Sequence, residues 1–393
     1  MKRRVCIIRH GYYPRENHVR RDAEAVRDAG YHVDIICSKL KNEKNSEIVD
    51  RINVYRMPVS HQRGGPLRYI IEYPAFFILS FVKLALLHVE KKYVIIEVDT
   101  MPDFLIFVTL VPKLLGAKTI LYMFEAMPEL FGSKYKVSGQ HLIVRLLGII
   151  ERIASLYADR IITVNEVIKR VFVSRKVPAS KIAVILNSPD EELFKRESYV
   201  NGYMKKRECF VLVCHGTILK RYGFQTAIKA VSVLRNKMPD LRLEIVGDGE
   251  YMEELVSLVN HLNLEDVVNF RGYLSLNEIP NLIMESDIGL VPIVKDNFTD
   301  LMLPNKLFEY IALGRAVISS NLTTIRTYFN SDSILFFESN NEKDLARCIS
   351  QLYQNAAKRT SFVRTANKTY EKYRWSKMKK KYLKVYEDLT KRK

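Results

Sequence analysis

The sequence predicts an α/β protein of two Rossmann-like, doubly wound domains whose parallel sheets face a central cleft. Three observations point there. At 393 residues the chain exceeds what one ordinary hydrophobic core supports, so two domains are expected. Short apolar runs alternate with amphipathic helical patterns, as in βαβ units of a parallel sheet. That alternation stops in a polar join near Ser188–Glu208 and restarts at Phe210. The division is an N-terminal domain over 1–190, a C-terminal domain over 191–370, and a basic segment over 371–393 expected to pack back on the first domain.

In the first half Val5–Ile8 reads as a strand, Asn17–Ala29 as a helix closed by Gly30, and Val33–Cys37 as the second strand. Further strands are expected at Val94–Val98, Thr119–Tyr122, Arg160–Val164 and Lys181–Leu186, with helices at Phe104–Leu115 and His141–Tyr157. The opening segment has the charge of a signal peptide. Its apolar run is short and broken by Arg9 and His10, so a strand is the better reading. Tyr69–His88 is unusually apolar. Glu72, Pro74 and Lys83 argue against a spanning helix, while flanking Arg63, Arg68, Lys91 and Lys92 suit an anionic membrane interface. A helix buried against the sheet is the alternative.

In the second half strands are expected at Phe210–Cys214, Leu241–Val246, Val267–Phe270, Ile288–Val291 and Ala316–Ser319. Between them Gly223–Asn236, Tyr251–Leu262, Leu276–Glu285 and Leu303–Gly314 read as helices. A final helix over Ser376–Leu389 carries Lys377, Lys379, Lys380, Lys381 and Lys384.

Composition narrows the class. Apolar residues make up 48% and aromatics 10%, which excludes a disordered chain. No run of 18 apolar residues argues for a transmembrane helix. Cys6, Cys37, Cys209, Cys214 and Cys348 are odd in number and lack metal-ligand spacing, as expected of reduced thiols in a cytoplasmic protein. A net charge of +18, from 62 Lys and Arg against 44 Asp and Glu, favours anionic partners without choosing among them.

Leu303–Gly314 is the most informative stretch. Pro304 suits the first helical turn and Gly314 the left-handed position past the end. Leu307 and Ile311 face a core, whereas Lys306 and Glu309 have no obvious partner inside one. A helix start with backbone N–H groups and a nearby cation binds phosphate, and a carboxylate one turn on accepts from a sugar hydroxyl. The plain alternatives are a solvated lysine and a surface glutamate. Three other strand ends carry candidate loops: His215-Gly216-Thr217 with Lys220, Arg221 and Gly223; Gly247-Asp248-Gly249; and Arg271-Gly272-Tyr273. Glycine there lets backbone amides approach a phosphate. Each loop alone is weak evidence; in order at successive strand ends they gain weight, because ligands of open parallel sheets bind at the carboxyl ends.

These motifs, followed by Ser286-Asp287-Ile288-Gly289-Leu290-Val291-Pro292 and Pro304-Asn305-Lys306-Leu307-Phe308-Glu309-Tyr310, resemble glycosyltransferase family 4, of GT-B fold, over roughly Phe210–Phe329. Arg9-His10-Gly11-Tyr12-Tyr13-Pro14, Glu125-Ala126-Met127-Pro128-Glu129, Ala158-Asp159-Arg160 and Leu186-Asn187-Ser188-Pro189-Asp190 match less specifically in the first half.

The resemblance implies a retaining transfer from a nucleotide sugar, UDP-linked, with no cofactor and no bound metal. It places Glu309 on the nucleotide ribose, the amides near Pro304, Asn305 and Leu307 on the diphosphate, and Gly216 beside the phosphates. Thr217, Gly247, Gly249, Arg271, Gly272 and Tyr273 complete the donor set. Two departures stand out. The glutamate expected eight residues before Glu309 is Leu301, with Asp300 adjacent but out of register. The family's phosphate-binding Arg and Lys fall on Thr217 and Tyr222. Lys306 and Arg221 are the nearest compensating cations, and Pro304-Asn305-Lys306 in place of a glycine-rich element marks a subgroup. Departure of a nucleoside diphosphate leaves charge on the β-phosphate, and one well-placed donor stabilises such a transition state by about 3–4 kcal/mol.

The first half is expected to bind a saccharide or lipid-linked acceptor through Gly11, Tyr13, Arg15, Glu125 and Glu129, with His10 reaching the donor. The family's histidine before the first acid is Phe124 here. For Glu129 a helix-capping role, and for His10 a structural one, remain open. The implied setting is surface polysaccharide or glycan assembly in the cytoplasm, with peripheral contact at the inner face of the cell membrane. Three rivals differ in what they require. A sugar-nucleotide epimerase needs cleft carboxylates that are not evident, and a non-catalytic sugar-nucleotide binder would explain Leu301, Thr217 and Tyr222. A nucleic-acid partner would exploit the charge but not the strand-end series, so none is expected.

Overall fold

A computed structural model describes residues 3–60, 66–197 and 209–391, the side chains of 66–70 excepted. Residues 198–208 of the polar join, Arg63 and the Arg68 side chain lie outside that description. Two compact units form: Met1–Asn187 with Ser376–Lys393, and Ser188–Trp375.

The first unit is built on an eight-stranded sheet in the order β3-β4-β2-β1-β5-β6-β7-β8. Its strands are β1 Arg4–Arg9, β2 His32–Ser38, β3 Ser46–Val49, β4 Ile52–Met57, β5 Ile95–Asp99, β6 Lys118–Met123, β7 Arg160–Thr163 and β8 Ile182–Val184. All pairs are parallel except β3 with β4. Val5, Ile7 and Ile8 of β1 and every residue of β5 are buried, as helices on both faces of a parallel sheet require. The β3–β4 hairpin was not expected. Its turn places Asp50 and Arg51 at φ of 48° and 65°, a conformation usually announced by glycine or asparagine, so the sequence carried no turn signal.

The helix expected at Phe104–Leu115 is a 3-10 segment, Asp103–Thr109, followed by a short helix, Leu110–Leu114. Pro112 falls in that helix's first turn, where no N–H is needed. Helices at Met127–Tyr135 and Glu166–Ser174 are additional, and the apolar segment is one helix, Pro66–Lys91, running through Pro74. The final helix, Trp375–Thr390, belongs to this unit: Tyr382 and Tyr386 donate their hydroxyls to the two carboxyl oxygens of buried Glu97, at 2.8 and 3.0 Å. Lys377, Lys380, Lys381 and Lys384 on that helix are exposed.

The second unit holds a wholly parallel six-stranded sheet in the order β11-β10-β9-β12-β13-β14. The strands are β9 Phe210–His215, β10 Leu241–Val246, β11 Val268–Phe270, β12 Ile288–Val291, β13 Ala316–Ser320 and β14 Leu335–Phe337. Leu212, Leu243, Ile245 and Leu290 meet Phe224, Ile228, Leu345 and Ile349 of the covering helices in one core. β14 and the helices Thr323–Tyr328, Glu342–Tyr353 and Ala356–Tyr370 complete the unit beyond the expected elements. β1 and β9 each sit where the strand order reverses, so the loops leaving them open at the topological switch points.

Candidate functional site

At the carboxyl end of β9 the chain turns through His215-Gly216-Thr217, with Gly216 at φ +122°. Gly247 follows β10 at φ +133°, and a Cβ there would stand 1.9 Å from the Gly216 carbonyl oxygen. Gly247 N–H in turn donates to the Gly272 carbonyl at 2.8 Å, and a Cβ on Gly249 would meet the Ile218 carbonyl at 2.2 Å. The three expected loops are therefore one backbone-bonded layer, which only glycine allows at its points of closest approach.

Lys306 reaches this layer from the helix Asn305–Ala312. Its Nζ lies 3.3 Å from where a Gly216 Cβ would stand, and it is flanked by the rings of Tyr222 and Phe224 at 6.0 and 5.2 Å. Burial holds the ammonium below the ordinary lysine range, with Cys214 and Glu309 opposing. Burial raises the Cys214 thiol to about 11, so it stays protonated. Pro304 occupies the N-cap rather than the first turn, at ψ 135°, and no side chain caps the helix. Against expectation the Leu307 amide is not free, because its N–H donates to the Pro304 carbonyl at 3.1 Å and its side chain is core. Asn305 is exposed.

One turn on, Glu309 Oε2 lies 3.1 Å from His215 Nε2, joining the helix to the β9 end. Tyr310 locks the same junction. Its ring packs on His215 at 5.1 Å, its hydroxyl bonds His215 N–H at 3.3 Å, and Gly289 leaves room for it, since a Cβ there would lie 2.3 Å from the ring. Gly314 ends the helix at φ +70°, as expected.

The side chains of the other expected donor residues have contacts or exposures of their own. Arg221 sits over the Phe298 ring at 5.8 Å, and its carbonyl accepts from Val294 N–H. Thr217 is half-buried and Tyr273 is exposed. Arg271 bonds Glu244 at 2.7 Å along the β10–β11 edge. Asp300 is committed elsewhere: Thr323 N–H and Oγ1 donate to its two carboxyl oxygens at 2.6 and 2.7 Å. Asp300 is thus not free to take the place of the glutamate that Leu301 replaces.

In the first unit a second cluster forms at the carboxyl end of β1. Glu16 accepts from Arg9 Nε at 2.8 Å and from Tyr12 N–H at 3.1 Å. Gly11 makes this possible, because a Cβ there would fall 1.6 Å from Glu16 Oε1. His18 lies 3.7 Å from Glu16 and edge-on to Phe124 at 4.6 Å. Burial, Arg9 and Arg21 hold its imidazole well below the ordinary histidine range, so it is neutral. A histidine does reach Phe124, but from another segment of the chain. Arg9 lies in a motif the sequence reading singled out, whereas His18 escaped it because nothing local marks it.

Of the expected acceptor residues, Arg15 is exposed and Glu125 half-buried. Three are drawn inward. His10 is buried against Phe76 and Tyr73, at 4.6 and 5.4 Å. Tyr13 is core, its carbonyl accepting from Arg56. Glu129 pairs with Arg175, which also bonds Glu151 at 2.6 Å. Among the described residues, no three His, Cys, Asp or Glu side chains group as metal ligands.

Two family models match. Residues 16–188 match the glycosyl transferase 4-like domain, and residues 209–355 match glycosyl transferases group 1. An uncharacterized glycosyltransferase of Haemophilus influenzae is 25% identical over 335 residues, 85% of this chain and 84% of that protein. A GDP-mannose-dependent alpha-(1-6)-phosphatidylinositol monomannoside mannosyltransferase of Mycobacterium tuberculosis is 26% identical over 125 residues, 31% of this chain and 32% of its own length. Anabaena HepE, solved in complex with UDP, superposes with a TM-score of 0.72 at 14% identity, covering 99% of this chain and 100% of that one.

Proposed function

Because the chain belongs to the glycosyltransferases of GT-B fold, we propose that it moves a hexosyl or N-acetylhexosaminyl group, with retention, from a UDP-sugar to a saccharide or lipid-linked saccharide acceptor. The observation that carries this reading is the placement of the Lys306 ammonium over the bare α-carbon of Gly216, at the switch point of the second sheet. A diphosphate laid across that glycine layer would meet backbone and one fixed cation together. As the bond to the sugar breaks, charge gathers on the β-phosphate and the sugar carbon becomes oxocarbenium-like. Lys306 is then aimed at the charge that develops, and no metal is required for it. Glu309, beside His215, accepts from the ribose hydroxyls. Arg221 adds positive charge at the rim. Saccharide binding falls to the Gly11–Glu16 loop and Glu125, in surface glycan assembly on the cytoplasmic side of the membrane.

UDP is supported by the complex of the structural neighbour, and GDP by the mannosyltransferase relative. Thermal melting with UDP, GDP and a short RNA, each with and without EDTA, tests the reading. Stabilisation by UDP that EDTA leaves intact is expected. Stabilisation by RNA alone overturns it. The commitment of Asp300 to Thr323 favours a second reading, a sugar-nucleotide-binding protein without transferase activity. Turnover with a panel of UDP-sugars separates the two.

A further inference from the structure

Two helices of the first unit bury polar side chains and turn apolar ones to solvent. In Leu142–Tyr157 the buried positions include Glu151 and Ser155, whereas Leu142, Leu146, Ile149 and Ile153 face solvent. Glu151 is held inward by Arg175, and Gly148 lies against Pro128. In Pro66–Lys91, Glu72, Ser80 and His88 are buried, while Ile78, Val82, Leu86 and Val89 are exposed. Both helices pack on the Asp103–Thr109 segment, and Leu114 and Leu115 just beyond it are exposed as well. Monomeric proteins seldom leave an apolar face of this extent uncovered.

A cavity of about 740 Å³ borders this face, at the amino ends of β1, β5 and β6 and away from the loops that carry the acceptor residues. Arg3, Lys92 and Lys118 line it, together with Val89 and Leu115 of the apolar face and Leu389 of the final helix. No acidic side chain is among its described lining residues. Three cations without a carboxylate, joined to apolar side chains, suit a ligand with an anionic head and a hydrocarbon body.

We propose that this face docks the protein on an anionic lipid bilayer, with a headgroup phosphate in the Arg3–Lys92–Lys118 cavity and the outward Leu, Ile and Val side chains in the acyl boundary. Ile71–Lys91 is long and apolar enough to span, at mean hydropathy 1.4. It lies on the surface instead, because Phe76, Leu84 and Leu87 are built into the unit's core. A second copy is the poorer occupant. A two-fold contact would set the same cationic cavity against itself, with exposed Arg145 and Arg152 adding to the repulsion. Docking needs neither donor nor acceptor, so its failure leaves the transfer reading intact.

Co-flotation of the full chain with vesicles tests this. Binding is expected to vesicles containing phosphatidylglycerol and not to phosphatidylcholine alone. Arg3→Ala/Lys92→Asn/Lys118→Ala should lower partitioning about a hundredfold, the factor three cations supply near an anionic surface; asparagine suits the φ of 54° at Lys92. Ile78→Ser/Val82→Ser/Ile149→Ser/Ile153→Ser should abolish it while the melting temperature holds. Inorganic phosphate that displaces the protein at low millimolar concentration would instead identify a free-anion site and overturn docking. Equal binding to both vesicle types, or a wild-type dimer that the Ser variant converts to monomer with flotation unchanged, would also overturn it.

Discussion

The Nζ of Lys306 lies 3.3 Å from the point a Gly216 Cβ would occupy, so the ammonium rests directly over bare backbone. Three strands and three α-helices separate these residues along the chain, and neither identifies the other. Their meeting sets a cation over exposed backbone, the arrangement on which the proposed diphosphate site rests.

Replacing Lys306 by Ala should therefore cost turnover far more than stability. Loss of one fixed donor at a developing oxyanion is worth about 3 kcal/mol, or roughly a hundredfold in kcat. The melting temperature should hold or rise, since a partly buried, desolvated ammonium is removed. Unchanged kcat in a folded Lys306→Ala protein would exclude Lys306 from the reaction.

Two glycine substitutions should divide binding from folding. Gly247→Ala drives a Cβ into the Gly216 carbonyl at 1.9 Å, backbone against backbone, and should destabilise the second unit by about 3 kcal/mol or more. Gly216→Ala meets only the tip of Lys306 and strains φ at +122°, so it should fold and lose stabilisation by UDP. Urea unfolding and UDP-dependent melting read the two effects.

Tyr382→Phe removes one of the two hydroxyls that satisfy Glu97. A buried carboxyl oxygen left without its donor costs about 1–3 kcal/mol. Tyr386→Phe should cost a similar amount, and the double variant less than the sum, because both act on one carboxyl group. A double-mutant cycle by chemical denaturation measures the coupling. Strict additivity would show that the two hydroxyls act on Glu97 independently, and negligible single-variant costs would show that the final helix is not held through it.

Burial raises Glu151 from its usual 4.5 to about 7 despite the Arg175 guanidinium beside it. The folded state binds this proton more tightly than the unfolded chain does. Its contribution is fully present below pH 4.5 and is lost as pH rises through about 7, a change of about 3 kcal/mol. Glu151→Gln cannot titrate. Wild-type stability, measured relative to this variant, should fall across that window, and a pH-independent difference would refute the assignment.

The legibility of the fold followed the strength of local signals. β1, β2, β5, β6 and the strands β9 to β13 announce themselves as β-branched runs bounded by polar turns, and Gly314 marks a helix end by a conformation other residues avoid. The β3–β4 turn did not, since Asp50 and Arg51 adopt positive φ without glycine. Leu142–Tyr157 was legible as a helix, but not as one that buries Glu151 and exposes Leu146, Ile149 and Ile153. Periodicity finds the apolar stripe, and only Arg175, just past the end of another helix, decides that Glu151 goes inward.

The sequence by itself determined two parallel-sheet domains and the loops that end their strands, because those features rest on side-chain periodicity and on backbone angles fixed within a few residues. Tertiary structure decided which side chains those loops receive. It brought His215 to Glu309, gave Asp300 to Thr323, withdrew Tyr13 and Glu129 from the acceptor set, and set His18 beside Phe124. Each of these pairings joins segments distant in the chain. Their partners are chosen by packing and desolvation across the fold, which no local pattern encodes.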